Sequence, residues 1–396
     1  MNLKKEFEIL RGEPIDVFDG DPMDIPCIET SDREKLCRHP VVSVHMITYN
    51  HEPYIRQAIE GVMMQKTDFE FELIIGEDAS KDKTREICFE YQKKYPDKIR
   101  VLWWHENVSK LGGNSRRVVA RCRGEFIAFC EGDDYWTDPL KLQKQVGIMR
   151  THTMISLCFA RTKVLEQHTV EVFDEISTGL PVGIMSGNEF SRRKLLGLMD
   201  GHNVSPIPNP SVRTLTAVVR GAAIRAMHDR FRDIFMMSLR LGDTTIWLGS
   251  SFFGDIFFMP DIVGVYRIHS GGVTRKNPGG LLRDGVLVRI YYAMKLWGVP
   301  YQVCLAIYRD MLFTAWISQA DELSHCDQKD LAHRVKAFTL KIGANCFRYR
   351  LYMIFLKLGI LTKSTKRVCD YVFYHFGCHN QNLEDVLAEH VHRLCR

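Results

Sequence analysis

Residues 41–65 read VVSVHMITYNHEPYIRQAIEGVMMQ, and the period of the apolar residues changes partway along. VVSVHMIT (41–48) is strand-like, rich in Val, Ile and Thr. From Pro53 onward Ile55, Ile59, Val62 and Met63 recur at helical spacing, and Pro53 suits a first helical turn. Strand, polar turn and helix in succession are the opening of a βαβ unit.

The cadence continues. FELIIG (71–76), KIRVLWW (98–104) and EFIAFC (125–130) read as strands, and DKTREICFEYQKKY (82–95) and residues 113–122 as helices. Asp138 reads as the cap of a helix whose first residue is Pro139. Strand and helix alternate about every 25 to 30 residues, which predicts an α/β domain with a mostly parallel sheet flanked by helices. In such sheets ligands bind beyond the carboxyl ends of the strands. TYNHE follows the first strand, EDAS the second and EGDDYW the fourth, so three polar clusters should converge on one rim.

Beyond residue 150 the pattern is less regular. TLTAVVR (214–220) and IVGVYRIH (262–269) read as strands, and residues 187–197, 222–238 and 243–251 as helices. From about 281 the pattern is nearly all helical. The expected organisation is an extended lead-in over 1–40, an α/β domain over 41–280 with halves at 41–150 and 151–280, and a helical region over 281–396.

With 396 residues, 45% hydrophobic and 26% charged, the chain is an ordinary globular composition with room for a large core. A formal net charge of +5 does not argue for nucleic acid, and no groove-reading motif is present. The twelve cysteines include no CxxC pair, which argues against zinc and for a reducing compartment. MNLKKEFEILRGEPIDVFDGD has no continuous apolar stretch, so it does not read as a secretory leader. No apolar run approaches the ~20 residues that a membrane span needs.

EGDDYW (131–136) poses an electrostatic problem. Glu131, Asp133 and Asp134 crowd the end of a buried strand, and each disfavours ionisation of the next. A positive partner is expected there.

The series TYNHEPYIRQAIEGVMMQ, LIIGEDASKDKTREI, YPDKIRVL and RGEFIAFCEGDDYWTDPLKLQKQV resembles the nucleotide-sugar domain of family 2 glycosyltransferases, closely over roughly residues 40–150 and more loosely over 205–275. The resemblance implies the GT-A fold, a Rossmann-like arrangement. It sets Thr48, Tyr49 and Asn50, with Glu52 in the same turn, against the uridine of a UDP-sugar. It gives Glu77 and Asp78 to the uracil or ribose, with Ala79 where glycine is commonest and an ordinary backbone angle expected. It makes EGDD a DXD-like site for Mn2+ or Mg2+ bridging the diphosphate. Asp134 is then expected as the direct ligand, Asp133 on the ribose or as second contact, and Glu131 in an outer role. In LGDTTIW (241–247), about 110 residues further on, Asp243 takes the place of the general base of inverting members. In VYRIHSGGVT (265–274), Arg267 is expected on phosphate oxygens and His269 on the cation or diphosphate, with Gly271 and Gly272 in a closing loop. Asn114 and Arg117, in SKLGGNSRR (109–117), are further phosphate candidates. His45, His51, His105 and His202 show no ligand spacing and read as structural or surface residues.

The implied activity is an inverting, metal-dependent transfer of a sugar, UDP-linked by expectation, to a hydroxyl of a glycan or lipid-linked acceptor in surface polysaccharide synthesis. A nucleotidyltransferase would instead need a Gly-rich basic loop directly after the first strand, where this chain has TYNHEPY. A non-catalytic nucleotide- or glycan-binding relative would be expected to lack the acidic cluster, which is present.

His333 to Cys369 contains no acidic residue and nine Lys or Arg, interleaved with aromatics as in CFRYRLYMIFLKLGIL. Basic amphipathic segments with aromatic anchors suit an anionic membrane surface, here the inner face of the cell membrane. A packed helical bundle or a homo-oligomer interface is the other reading.

Overall fold

The computed structural model describes residues 2–108, 113–166, 171–174, 180–196, 212–239, 242–272 and 278–320. Two units emerge: Ile15–Gly272, and a second joining Met1–Pro14 to the residues from Val273 onward. The sequence had suggested breaks at 40 and 280.

Among the described residues the first unit holds eleven strands: β1 Ile28–Thr30, β2 Val42–Thr48, β3 Phe71–Glu77, β4 Ile99–Trp103, β5 Phe126–Phe129, β6 Tyr135–Trp136, β7 Ile155–Glu166, β8 Glu171–Asp174, β9 Gly183–Met185, β10 Val218–Arg220 and β11 Asp255–Ile268. Their order is β1-β4-β3-β2-β5-β10-β7-β11-β6, with β8 on β7 and β9 on β11. The run β4-β3-β2-β5 is parallel throughout, as the cadence requires, and β7 and β11 are also parallel. β10 is antiparallel to both neighbours, β5 and β7, and stitches the two parallel sets together. The strand expected over 214–220 is correspondingly shorter, because Thr214–Thr216 forms a 3₁₀ turn.

Every residue of β3 is buried, as befits a central strand covered on both faces. Its Glu72 survives burial because Arg100 (3.2 Å), Arg123 (2.5 Å) and the Ser43 hydroxyl (2.6 Å) converge on it. The helix Ile55–Met63 lays Ile55, Ala58, Ile59 and Val62 on one side of the sheet, beside Val44, Met46, Leu73, Ile75 and Trp136. Gly61 permits this approach, since a Cβ there would stand 2.9 Å from the Trp136 backbone. The helix expected from Pro139 begins at Lys141, and Asp138 accepts instead from the Leu140 and Lys141 amides in the turn before it.

The expected extended lead-in is corrected. Leu3–Arg11 is a helix, capped by Asn2 at its start and closed by Gly12 in the left-handed conformation. It belongs to the second unit, where Arg11 pairs with the fully buried Asp284 at 3.2 Å and Arg283 with Glu13 at 2.9 Å. The helices Pro278–Trp297 and Tyr301–Ala320 pack together in that unit. Within the first unit, β1 completes the sheet edge against β4. Among the described residues no helix is long and apolar enough to cross a membrane. The basic stretch 333–369 lies outside the described residues.

Candidate functional site

The loops after β2 and β3 are laced together by backbone-to-side-chain bonds. Asn50 N–H donates to Ser80 Oγ (2.9 Å), Lys81 N–H to Asn50 Oδ1 (2.8 Å), Lys83 N–H to Glu52 Oε2 (3.1 Å) and Glu52 N–H to Asp82 Oδ2 (3.0 Å). Asp82 also accepts from Thr84 N–H at 3.0 Å, just ahead of helix Thr84–Lys94. Such lacing fixes Asn50 at φ 55° and Ala79 at φ 62°. Ala79 is thus a correction: it occupies the left-handed region that favours glycine, at a cost of about 1–2 kcal/mol. Tyr49 stands 40% exposed at the rim, with its ring available as a flat face.

Glu77 is buried, with Oε1 on the Ser80 amide (2.6 Å) and Oε2 on Arg85 Nε (2.5 Å). Both oxygens serve the turn. Asp78 N–H donates to the Thr48 carbonyl at 3.1 Å, and its Oδ1 accepts from Val108 N–H at 2.8 Å. Asp78 therefore ties the segment after β4 to the same rim.

Asn114 and Arg117 depart from the sequence expectation. Asn114 Nδ2 donates to the Gly76 carbonyl at 2.5 Å, and the fully buried Arg117 donates to Glu77 O, Leu102 O, Pro26 O and Asn114 Oδ1. They satisfy backbone carbonyls beneath the ends of β3 and β4 instead of facing a phosphate. Burial without a carboxylate in contact lowers the Arg117 pKa.

The acidic corner resolves into three environments. Asp134 is 1% exposed and its Oδ1 accepts from the Arg267 N–H at 2.8 Å. Burial, then the charges of Asp133 and Glu131, hold its carboxyl well above the usual range. The Asp133 side chain keeps 21% exposure, with Oδ2 3.1 Å from His269 Nε2 and 3.7 Å from His51 Nε2. Burial pushes Asp133 upward, but the His269 hydrogen bond and the charges of both imidazoles outweigh it and leave the carboxyl below its ordinary value. Glu131 is pushed up to about 8, by burial first and then by Asp133 and Asp243, against a hydrogen bond with Thr214.

Arg267 braces this corner. Its guanidinium donates to the Asp133 carbonyl (2.6 Å) and to Gln57 Oε1, and lies over the rings of Tyr135 (4.4 Å) and Tyr54 (5.2 Å). These contacts turn it toward the loop, where the sequence had suggested phosphate oxygens. Asp243 lies in the first turn of helix Gly242–Phe253, half-buried, with Oδ1 on Thr244 N–H at 2.6 Å. Burial raises its pKa, against the Thr244 amide and the charges of Lys194 and Arg213. Asp243 in turn raises Glu131, so the candidate base and the acidic corner share one field.

The structure thus brings Thr48, Asn50, Asp78, Glu131, Asp133, His269 and Asp243 to one side of the sheet's carboxyl ends. His51, read from the sequence as a structural or surface residue, joins them with Tyr54 and Gln57, because contact across β2, β5 and β11, not spacing along the chain, places them. Their one sequence signal was position, directly after a strand end.

Among the described residues no group of three or more His, Cys, Asp and Glu side chains could hold a metal ion by itself. A dication shared with a diphosphate needs less, since one or two carboxylates, phosphate oxygens and water complete its shell. Asp133, ionised at the rim, meets that requirement. Nearby, the buried Thr48 Oγ1 has no hydrogen-bond partner among the described residues, which fits a site that awaits a polar ligand.

Residues 43–171 match the model of glycosyl transferase family 2. The uncharacterised protein Rv1520 of Mycobacterium tuberculosis is 44% identical over 124 residues, which span 31% of this chain and 36% of that protein. An uncharacterised glycosyltransferase of Nostoc, alr2836, is 33% identical over 116 residues, 29% of this chain and 35% of its own length. The chain therefore spans little more than a third of these relatives. S. aureus TarS residues 1–349 superposes with a TM-score of 0.52 at 16% identity, covering 86% of this chain and 93% of that one. Its complex with UDP-GlcNAc gives 0.51 at 17%. Likeness at this identity establishes the fold, GT-A.

Proposed function

We propose, from the match of residues 43–171 to the family 2 glycosyltransferase model, that the protein transfers a sugar from a UDP-linked donor to an acceptor hydroxyl, with inversion and with a divalent cation. The observation that carries this reading is the corner at β5: Asp133 ionised at the rim, Asp134 turned inward, and Asp243 within the field of Glu131.

Tyr49 offers a face to the base, and Thr48 Oγ1 and Asp78 line the nucleoside side. Asp133 would hold the cation, with Glu131 in the outer role. Asp134 supports from behind through Arg267, in place of the direct ligation that the sequence suggested. The cation, when bound, supplies Lewis-acid neutralisation of the departing diphosphate. Asp243 removes the proton from the acceptor hydroxyl as that oxygen attacks the anomeric carbon from the face opposite UDP. Burial makes Asp243 a stronger base than an exposed aspartate, while the Thr244 amide and the helix start oppose that shift.

Two supports are comparative. TarS, of the same fold, was crystallised with UDP-GlcNAc. A Bacillus subtilis relative, TuaG, 34% identical over 110 residues, carries a name that assigns it to teichuronic acid biosynthesis. We extend the reading to a glycan or lipid-linked acceptor in surface polysaccharide synthesis, reached at the inner membrane face through the basic stretch 333–369. The test is release of nucleotide from UDP-, GDP- and ADP-sugars with Mn2+. Turnover of a UDP-sugar, abolished in Asp133→Asn, is expected; no turnover with any donor, or turnover of another nucleotide alone, overturns the proposal.

A further inference from the structure

Two imidazoles face one oxygen of the Asp133 carboxylate, and one of them is unassigned. His269, at the end of β11, and His51, after β2, both direct Nε2 at the same oxygen, Oδ2, from 3.1 and 3.7 Å. His51 is a built feature. Its N–H donates to Thr84 Oγ1 at 2.8 Å, and its carbonyl accepts from the Tyr54 and Ile55 amides at 2.9 Å each, forming the entry to helix Ile55–Met63. Its ring stands edge-on to Tyr54 and to His269, at centroid distances of 6.3 and 6.2 Å. The ring has room because residue 132 is glycine. A Cβ there would come within 3.0 Å of His51 Nδ1 and 2.6 Å of Thr48 Oγ1.

We propose that His51 is a positioning residue for the cation site: it holds the Asp133 carboxylate at the rim from the β2 side and leaves the ion's own ligands to Asp133 and the donor diphosphate. The inference rests on the metal-dependent reading above. A ligating carboxylate keeps its orientation only if its other contacts are fixed, and loss of such a partner typically costs about 10–100-fold in metal affinity. Direct ligation of the ion by His51, beside Asp133, is the alternative that the experiment separates from this role.

A positioning role and a ligand role differ in selectivity. An imidazole ligand favours Mn2+ over Mg2+, whereas a residue acting through a carboxylate affects both ions alike. The experiment uses the full chain with saturating UDP. Mn2+ binding is read by the electron paramagnetic resonance of the free ion, and Mg2+ by competition. His51→Gln should weaken both ions about 10-fold at an unchanged Mn2+/Mg2+ ratio. UDP affinity without an ion should stay as in the wild type. Thermal unfolding reports that the variant is folded. Unchanged Mn2+ affinity in folded His51→Gln overturns the proposal, as does a loss confined to Mn2+. If the wild type binds neither ion, the metal-dependent reading itself fails, a result visible before any variant is made.

Discussion

Asp134→Asn separates two assignments of the acidic corner. Asp134 is 1% exposed and accepts the Arg267 N–H at 2.8 Å, and asparagine keeps an acceptor oxygen there while removing the charge. In the metal-free protein, burial and then the like charges of Asp133 and Glu131 raise this carboxyl well above its ordinary value. The folded state therefore binds the proton more tightly than the unfolded chain. Stability falls as pH rises above the ordinary carboxylate range, and the loss is complete once the folded-state value is passed. Asp134→Asn escapes that loss, so its stability relative to wild type should be greater at pH 8 than at pH 5. Asp134→Ala, by contrast, strands the Arg267 N–H in the interior and should cost about 1–3 kcal/mol. The assay is urea unfolding with EDTA at both pH values, followed by Mn2+ titration with UDP present. Asp134→Asn should retain cation binding, and Asp133→Asn should lose it. Equal loss in the two variants would refute the reasoning and return direct ligation to Asp134.

Asp243→Asn should keep UDP binding and lose about 10²–10⁴-fold in transfer rate, the worth of a general base; unaltered turnover in a stopped transfer assay would remove Asp243 from that role. Ala79→Gly relieves a left-handed alanine at φ 62° and should raise stability by about 1 kcal/mol in chemical denaturation; a loss of stability would contradict the strain argument. Replacing Arg348, Arg350 and Lys357 together by Gln should weaken sedimentation with phosphatidylglycerol vesicles by on the order of 100-fold, at about 1 kcal/mol per basic residue near the surface. Binding equal to wild type would leave the basic stretch to a bundle or an oligomer interface.

The first half of the sheet was legible because each strand and its following helix differ in period within a few residues. Ile55, Ile59 and Val62 face the core as their spacing predicts. In the second half the strands over 214–220 and 262–269 were legible and lie in β10 and β11, but β7 and the pairings were not, because these strands acquire their partners across long stretches of chain. In the site, the sequence indicated which residues sit near the rim but not which way they turn. Asp133 and Asp134 are adjacent and chemically alike; the reach of β11, which delivers the Arg267 amide to one and His269 to the other, distinguishes them. Asn114 and Arg117 looked like phosphate ligands beside two glycines. Their helix instead points them under β3 and β4, where unpaired carbonyls need donors. His51 had no sequence pattern to announce it, because its role depends on a glycine 81 positions away.

The most direct measurement is a crystal structure of the protein with UDP and Mn2+. The account predicts the ion on the Asp133 carboxylate at an oxygen-ligand distance of about 2.0–2.6 Å, with the base against Tyr49 and Asp78 and Asp134 still on the Arg267 N–H. A cation bound to Asp134 with Asp133 turned to solvent, or a nucleotide bound away from the ends of β2, β3 and β5, would contradict it.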